Sequence, residues 1–203
     1  MLEVVGIASA GLAAASPPGA VTFWVIFANW IGGEGWLQQH RRLPAAADRD
    51  AGSMHLVVTS VWAGVGIGLV SSFLLPGLST GGRSEPLFTV GLELMAAGLA
   101  LRRWAVAALG SAFTVTVGVQ AHQELVARGP YRWVRHPSYT GTLLTLVGVG
   151  LVCSNWMALA ALLLPFGAYG YRIQVEEGAL SARFGDAFRS YCQRTTRLMP
   201  RGL

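Results

Sequence analysis

Long runs without charged residues dominate the pattern of polar and apolar positions. Residues 4–33 and 56–82 carry no charge, and a third apolar run, residues 86–101, contains only Glu93. A helix needs about 20 apolar residues to cross a hydrocarbon core about 30 Å thick, so runs of this kind are typical of membrane spans. We therefore expect three transmembrane helices in the first half of the chain, residues 1–101.

The longest uncharged run predicts a helical hairpin rather than one helix. Residues 138–171 are 34 consecutive uncharged residues. A single helix of that length would be about 50 Å long, which is more than one bilayer crossing. Asn155 lies near the middle of the run, and Trp156 beside it suits a membrane interface. We expect two short spans joined near Asn155, which gives about five transmembrane helices in an all-α protein.

Arginine positions orient these spans. All 15 basic residues are arginines, and cytoplasmic loops carry an excess of basic residues. Fourteen of them lie in the first loop, between the third and fourth spans, or after the last span, and only Arg83 lies on the other side. We expect an integral protein of the cell inner membrane with its N-terminus outside and its C-terminus in the cytoplasm.

The composition agrees with a membrane protein and argues against two other classes. Apolar residues make up 53% of the chain and charged residues 12%, about half the charged share of an ordinary soluble domain. The arginines flank apolar spans rather than forming a basic face with aromatic residues, so we expect the lipid bilayer and not nucleic acid as the partner. The sequence has no CxxC pair and no Cys/His cluster, so we expect no metal.

The first span carries a local start signal. Pro17 and Pro18 follow Ser16, and proline either opens a helix or kinks it, so we expect a helix that starts or kinks there. The small residues before the prolines resemble a cleavage site. Met1, Leu2 and Glu3 lack the positive charge of a signal peptide, however, so we expect an uncleaved span.

A first polar cluster directly precedes the hairpin, where residues 129–141 read GPYRWVRHPSYTG. Pro137 fits the first position of the fourth span, with His136 at the helix cap. The amides of Ser138, Tyr139 and Thr140 would then be unpaired and open to an anion. An ordinary interfacial anchor of Arg, Trp and Tyr is the alternative interpretation.

A second polar cluster closes the hairpin, where residues 171–177 read YRIQVEE. On a continuous helix Arg172 and Glu176 share a face, whereas Glu177 points about 100° away. The hairpin returns this helix end close to His136, so we expect both clusters to form one cytoplasmic pocket. A weak surface ion pair at the membrane boundary is the simpler alternative.

The two clusters belong to a spaced set of residues in the second half of the chain: Leu125, Val126, Gly129, Pro130, Tyr131, Arg135, His136, Pro137, Ser138, Tyr139, Gly141, Glu176, Glu177, Leu180, Phe184, Gly185 and Tyr191. This set resembles the signature of the isoprenylcysteine carboxyl methyltransferase family. The resemblance covers residues 102–200, about half of the chain. It implies that residues 102–203 form a methyltransferase catalytic region with a cofactor-binding segment and a two-span hairpin.

The resemblance also implies the site residues. Members of that family use S-adenosylmethionine, and the corresponding cofactor contacts in this sequence are Gln123, Glu124, Leu125, Val126, Tyr131, His136, Pro137, Ser138, Tyr139 and Glu176. Arg172 corresponds to the arginine that contacts the substrate carboxylate, so Arg172 and Glu176 are the expected catalytic residues. Eukaryotic members have a histidine where this chain has Gln123, and His122 is adjacent, so either residue is a candidate for that contact.

The implied activity is that of a bacterial carboxyl O-methyltransferase acting on a lipophilic, isoprenylcysteine-like substrate. A carboxylate is ionised at pH 7, so its methylation needs no general base, whereas an ammonium nucleophile must first lose a proton. Three alternatives stay open: a phospholipid amine N-methyltransferase, a sterol-type NADPH-dependent membrane reductase, and a membrane scaffold without enzymatic activity. Glu93 has either a functional role or a structural hydrogen-bonding role.

Overall fold

The chain is helical throughout the part that the structure describes. A computed structural model describes residues 15–41, 50–80, 84–118 and 124–200. These ranges contain seven α-helices and no strand: α1 Pro17–His40, α2 Ser53–Leu74, α3 Ser84–Leu109, α4 Pro137–Cys153, α5 Trp156–Ala161, α6 Leu163–Phe184 and α7 Asp186–Arg194. Short 3-10 turns lie at Pro76–Leu78, Gly110–Ala112 and Gly129–Arg132.

Both predicted proline starts are confirmed. Helix α1 begins at Pro17, and the hydroxyl of Ser16 accepts a hydrogen bond from the amide of Gly19 at 3.4 Å. Helix α4 begins at Pro137, with His136 at the N-cap position. Proline suits these positions because its missing N–H is not needed in the first turn of a helix.

The predicted turn near Asn155 is also confirmed, and it lies at Ser154 and Asn155. Ser154 has a positive φ of 46° and ends α4. The side chain of Asn155 then accepts a hydrogen bond from the amide of Met157 at 2.9 Å, which caps α5. Helix α6 follows α5 after a break at Leu162 and carries the chain back past α4.

Helices α3 and α4 pack with their backbones in direct contact. Two glycines on α3, Gly91 and Gly98, face Gly148 and Gly141 on α4, so the two helices are antiparallel. A Cβ placed on Gly98 would lie 2.5 Å from the carbonyl oxygen of Gly141, closer than any side chain tolerates. Small residues permit this approach, which is common between helices in membranes.

Two turns meet at one end of the bundle. The amide of Thr80, which follows α2, donates to the carbonyl of Ser154 at 3.0 Å. The side-chain amide of Asn155 donates to the carbonyls of Ser71 and Leu75 at 3.1 and 3.0 Å. The α2–α3 turn and the hairpin turn therefore lie on the same side of the molecule.

The exterior of the bundle is apolar. By length and hydropathy, one helix in the described ranges, Ser53–Leu74, is able to cross a membrane, and Pro137–Cys153 is a shorter apolar helix. Large apolar side chains are exposed on the outer surface, among them Val21, Phe73, Leu163 and Trp156. Extended apolar surface of this kind indicates contact with lipid or with another protein.

Candidate active site

A cavity of about 420 Å³ lies between the helices, away from the end where the two turns meet. Its polar wall comes mainly from the end of α3, the start of α4 and the second half of α6. Its apolar wall comes mainly from α1 and from the first half of α2, with the side chains of Trp30, Ile31, Val57, Val58, Val61 and Trp62. The cavity therefore places charged groups opposite a surface suited to an apolar ligand.

Most of the residues predicted to bind the cofactor or substrate line this one cavity: Glu124, Leu125, Val126, Tyr131, His136, Ser138, Tyr139, Arg172 and Glu176. Pro137 starts α4 but does not line the cavity. Gln123 and its neighbour His122 lie outside the described residues. Residues of the two polar clusters thus line one cavity, although Tyr139 and Glu176 are 37 positions apart in sequence.

Tyr139 connects the two residues predicted to be catalytic. Its hydroxyl donates to Oε2 of Glu176 at 2.6 Å and accepts from Nε of Arg172 at 2.9 Å. In the described part of the chain, Arg172 and Glu176 form no direct ion pair with each other, although they lie on one face of α6. The tyrosine thus fixes a cation and a carboxylate side by side on the polar wall.

His136 lies between two carboxylates. Its Nδ1 is 3.5 Å from Oε2 of Glu176, and its Nε2 is 3.2 Å from Oε1 of Glu177. Burial opposes the charged form of the imidazole, but the two carboxylates outweigh burial and raise the pKa of His136 above its ordinary value. Both ring nitrogens therefore face carboxylate oxygens, an arrangement that favours the protonated imidazole.

Glu177 joins α6 to the C-terminal segment, residues 195–198. Its carboxylate accepts from Arg135 at 2.9 Å and from Arg197 at 3.0 Å. Burial alone would raise the pKa of Glu177, but His136, Arg197 and Arg135 lower it to about 2. As expected from helical spacing, Glu177 points away from Arg172.

The start of α4 corrects one expectation about an anion site. We expected the amides of Ser138, Tyr139 and Thr140 to be unpaired, but the amides of Tyr139 and Thr140 both donate to the carbonyl of His136 at 3.0 Å. The first helical turn closes on its own cap because Pro137 fixes a helical backbone there. Side chains, rather than this row of amides, therefore supply most of the polar groups of the wall.

Arg172 is buried, and four groups of the chain accept hydrogen bonds from it. Besides Tyr139, the guanidinium donates to Asp50 Oδ1 at 2.7 Å, to Ser53 Oγ at 2.9 Å and to the carbonyl of Val115. Burial raises the pKa of Asp50, but the Met54 amide and Arg172 outweigh burial, so its pKa is lowered overall. An ionised Asp50 therefore neutralises Arg172.

Sequence reasoning missed a second buried ion pair at the cavity. Arg102 on α3 pairs with both carboxylate oxygens of Glu34 on α1, one of them at 2.6 Å, and donates to Ser138 Oγ at 2.6 Å. From the sequence, Arg102 was interpreted only as one of the charges that orient the spans. The available signal was weak: Glu34 is the first charge after the apolar run 4–33, and such charges usually mark a membrane boundary.

Two further expectations concern Glu93 and metals. Glu93 lies on the exposed face of α3 and does not line the cavity. Within the four described ranges, no group of three or more His, Cys, Asp or Glu side chains is placed to hold a metal ion. The ionisable side chains that line the cavity include Glu34, Arg102, His136, Arg172 and Glu176.

The chain is similar to known proteins over its second half. Residues 90–182 match the profile of the isoprenylcysteine carboxyl methyltransferase (ICMT) family. The chain is 33% identical over 113 residues to protein-S-isoprenylcysteine O-methyltransferase B of Arabidopsis thaliana, a match that covers 54% of this chain and 57% of the plant protein. It is 30% identical over 127 residues to protein-S-isoprenylcysteine O-methyltransferase of Tribolium castaneum, covering 61% of this chain and 44% of the insect protein.

The fold also matches a solved structure. The structure of the eukaryotic intramembrane Ras methyltransferase ICMT aligns with a TM-score of 0.57 and 26% identity, covering 72% of this chain and 52% of that one. The chain thus spans about half the length of the proteins it matches. The family resemblance predicted from the sequence is confirmed.

Proposed function

Residues 90–182 match the profile of the isoprenylcysteine carboxyl methyltransferase family, and from this premise we propose that the chain is a member of that family and an integral membrane carboxyl O-methyltransferase. It transfers a methyl group from S-adenosylmethionine to the carboxylate of a lipophilic, isoprenylcysteine-like substrate. The observation that carries the proposal is the pairing of Arg172 and Glu176 through Tyr139 on a polar wall that faces an apolar one.

The polar wall fits the charged methionine end of this cofactor. Both described contacts of Glu176, to His136 and to Tyr139, use Oε2, and the Glu176 side chain is 32% exposed. Its carboxylate is therefore partly open, and it would hold the cofactor ammonium by a charge-assisted hydrogen bond. His136, when protonated, would suit the cofactor carboxylate. The remaining contacts would come from Gln123, Glu124, Leu125, Val126, Tyr131, Ser138 and Tyr139, while Pro137 would act only by starting α4.

When bound, the cofactor supplies an electrophilic methyl group on a sulfonium. The chain itself needs to orient the acceptor and to exclude water, because a carboxylate is already ionised at neutral pH. Arg172 would orient the acceptor through its charge and through a guanidinium N–H that its four described hydrogen bonds do not use. The apolar wall formed by α1 and α2 would hold the lipophilic part of the substrate, with a bilayer on the outside of the bundle.

The proposal includes a membrane topology. Helices α1, α2, α3 and α4 and the α5–α6 pair would form five spans in the cell inner membrane, with the N-terminus outside and the cavity and C-terminus in the cytoplasm. Residues 1–101 would supply the first three spans and residues 102–203 the catalytic region. The exposed apolar side chains and the meeting of the α2–α3 turn with the hairpin turn at one end support this arrangement.

The decisive experiment separates cofactor binding from methyl transfer. Purified protein is given labelled S-adenosylmethionine and a prenylated cysteine derivative, and the product is treated with mild alkali. We expect a methyl ester that releases methanol. Arg172→Ala should keep cofactor affinity near that of the wild type yet lose most of this product, and Arg172→Lys should regain only part of it because lysine lacks the planar donors.

The experiment has a matched control variant, and three results would contradict the proposal. Arg189→Ala, which removes an exposed arginine of α7, should leave both quantities unchanged. A methylated product that survives alkali would indicate an amine acceptor. No methylated product, with binding of a nicotinamide cofactor, would indicate a reductase. Full ester formation by Arg172→Ala would refute the role assigned to Arg172.

A further inference from the structure

Asp50 lies behind the cavity wall, on the far side of Arg172. Arg172, Tyr139 and Val115 line the cavity, whereas Asp50 and Ser53 do not, although both are buried. The first loop therefore holds the guanidinium from behind, and the other side of Arg172 faces the cavity.

The Asp50 carboxylate is itself fixed by the backbone. Its Oδ2 accepts from the amide of Met54 at 2.6 Å, and its Oδ1 accepts from Ser53 Oγ at 3.0 Å and from the amide of Val117 at 3.2 Å. With Arg172 included, four donors converge on one carboxylate, an arrangement that suits only the ionised form. The start of α2 and the segment around Val117 thus determine where Asp50 stands.

We infer that Asp50 is a positioning residue for methyl transfer, which fixes the orientation in which Arg172 meets the acceptor carboxylate. The inference rests on the proposed role of Arg172. Asp50 and Ser53 precede the region matched by the family profile, residues 90–182. The first half of the chain therefore contributes to the chemistry as well as to the apolar wall.

A competing role for Asp50 fits the geometry less well. If Asp50 occupied the place of the substrate carboxylate, it would lie at the cavity and would have to leave four donors whenever substrate bound. Asp50 instead lies outside the cavity lining, and its partners include two backbone amides. Breaking such a buried network is costly, so a fixed support is the better interpretation.

The consequence is a specific kinetic signature. Asp50 neutralises Arg172, so the pair attracts an anionic substrate weakly but presents the guanidinium at a fixed angle. Without the Asp50 charge, the Arg172 guanidinium is no longer neutralised or held at one angle. It then binds a substrate carboxylate as tightly or more tightly, but in many orientations. Orientation affects the transition state more than the bound substrate, so kcat should fall while KM does not rise.

The test compares Asp50→Asn with Asp186→Asn, which removes an exposed carboxylate on α7. For Asp50→Asn we expect an S-adenosylmethionine affinity within about twofold of the wild type, an unchanged or lower KM for the acceptor, and a kcat about tenfold to a hundredfold lower. Asp186→Asn should match the wild type in all three. A damaged fold would instead weaken cofactor binding and raise KM.

A double-mutant cycle makes the test independent of general damage. If Asp50 acts through Arg172, then Asp50→Asn should add no further loss of kcat to Arg172→Ala. Losses that add together, or an Asp50→Asn variant with the kcat of the wild type, would overturn the inference.

A substitute variant and a prior assay of the wild type complete the test. If Asp50→Asn does not fold, Ser53→Ala removes the neighbouring contact to Arg172, and its kcat should fall without a rise in KM. An unchanged kcat there would overturn the inference. The wild type is assayed first, and absence of a base-labile ester at that stage overturns the proposed function and the inference with it. Failure in the variants alone overturns only the inference.

Discussion

Neighbouring glutamates on α6 have different surroundings. Glu177 is enclosed by Arg135, Arg197 and His136, and its side chain is 13% exposed. Among the described residues, Glu176 contacts His136 and Tyr139 only, and its side chain is 32% exposed. Glu177 therefore binds α6 to the C-terminal segment, whereas the carboxylate of Glu176 has surface left for a ligand.

This difference yields a prediction for cofactor binding. Glu176→Gln should weaken S-adenosylmethionine binding by about tenfold to a hundredfold, because one charge-assisted contact is lost. Isothermal titration of the detergent-solubilised protein measures this. Glu85→Gln, an exposed position near the start of α3, is the matched control. Glu177→Gln should affect cofactor affinity less and thermal stability more than Glu176→Gln does. Equal effects of these two substitutions would contradict a ligand-binding role for Glu176 and a structural role for Glu177.

The element that sets the geometry of the polar wall is the α3–α4 pair. Gly91 and Gly98 are seven residues apart, as are Gly141 and Gly148, so each pair lies on one helix face two turns apart. Their contact brings Arg102 on α3 within hydrogen-bonding distance of Ser138 at the start of α4. Close helix packing and a polar contact at the cavity therefore have one cause.

A methyl group at this contact should be poorly tolerated. Gly98→Ala should lower the free energy of unfolding by about 1 to 3 kcal/mol, because the new Cβ meets backbone that cannot yield. Thermal unfolding in detergent is the measurement. Gly66→Ala on α2, where a Cβ meets nothing within 4 Å, is the control and should be neutral or mildly stabilising. Equal behaviour of the two variants would mean that α3 and α4 do not pack as described.

Element boundaries were readable from the sequence where local chemistry sets them. Proline placed the starts of α1 and α4, and Asn155 placed the hairpin turn, since each acts within a few residues of itself. The closing of the first turn of α4 onto the His136 carbonyl was missed, because a cap signal does not state which amides remain free. The small-residue contact between α3 and α4 was also not predicted, since it depends on which two helices meet.

At the scale of the whole molecule, charge separates the two ends. Arg102, Arg135 and Arg172 surround the cavity at one end, whereas the other end, with the α2–α3 turn and the hairpin turn, is held by backbone and Asn155 hydrogen bonds. In the orientation proposed from the positive-inside rule, the cavity end faces the cytoplasm.

Labelling of introduced cysteines from outside the cell tests the proposed orientation of the protein in the membrane. Cysteines introduced one at a time at Gly77 and Trp156, both exposed, should react in intact cells with a reagent that cannot cross the membrane. A cysteine at Asp186, on exposed α7, should react only after the membrane is permeabilised. Reaction of the Asp186 position in intact cells would reverse the topology and put the cavity on the outside.

Long-range polar pairs could not be predicted from the sequence. Glu34 and Arg102 are 68 positions apart, and Asp50 and Arg172 are 122 positions apart. No periodicity or motif links such residues, because the contacts exist only once four helices have come together. The family resemblance supplied Arg172 and Glu176 but not the partners that hold Arg172 in place.

The separation of Asp50 from Arg172 has a consequence for biosynthesis. A ribosome adds about 5 to 20 residues per second, and the two residues are 122 positions apart, so Asp50 leaves the ribosome roughly 6 to 24 s before its cation. During that interval the Asp50 carboxylate lacks its contact with Arg172, and α2 forms without the contact that later anchors its start. The nascent protein has every apolar helix of its first half before it has an active site, and translation of α6 completes that site.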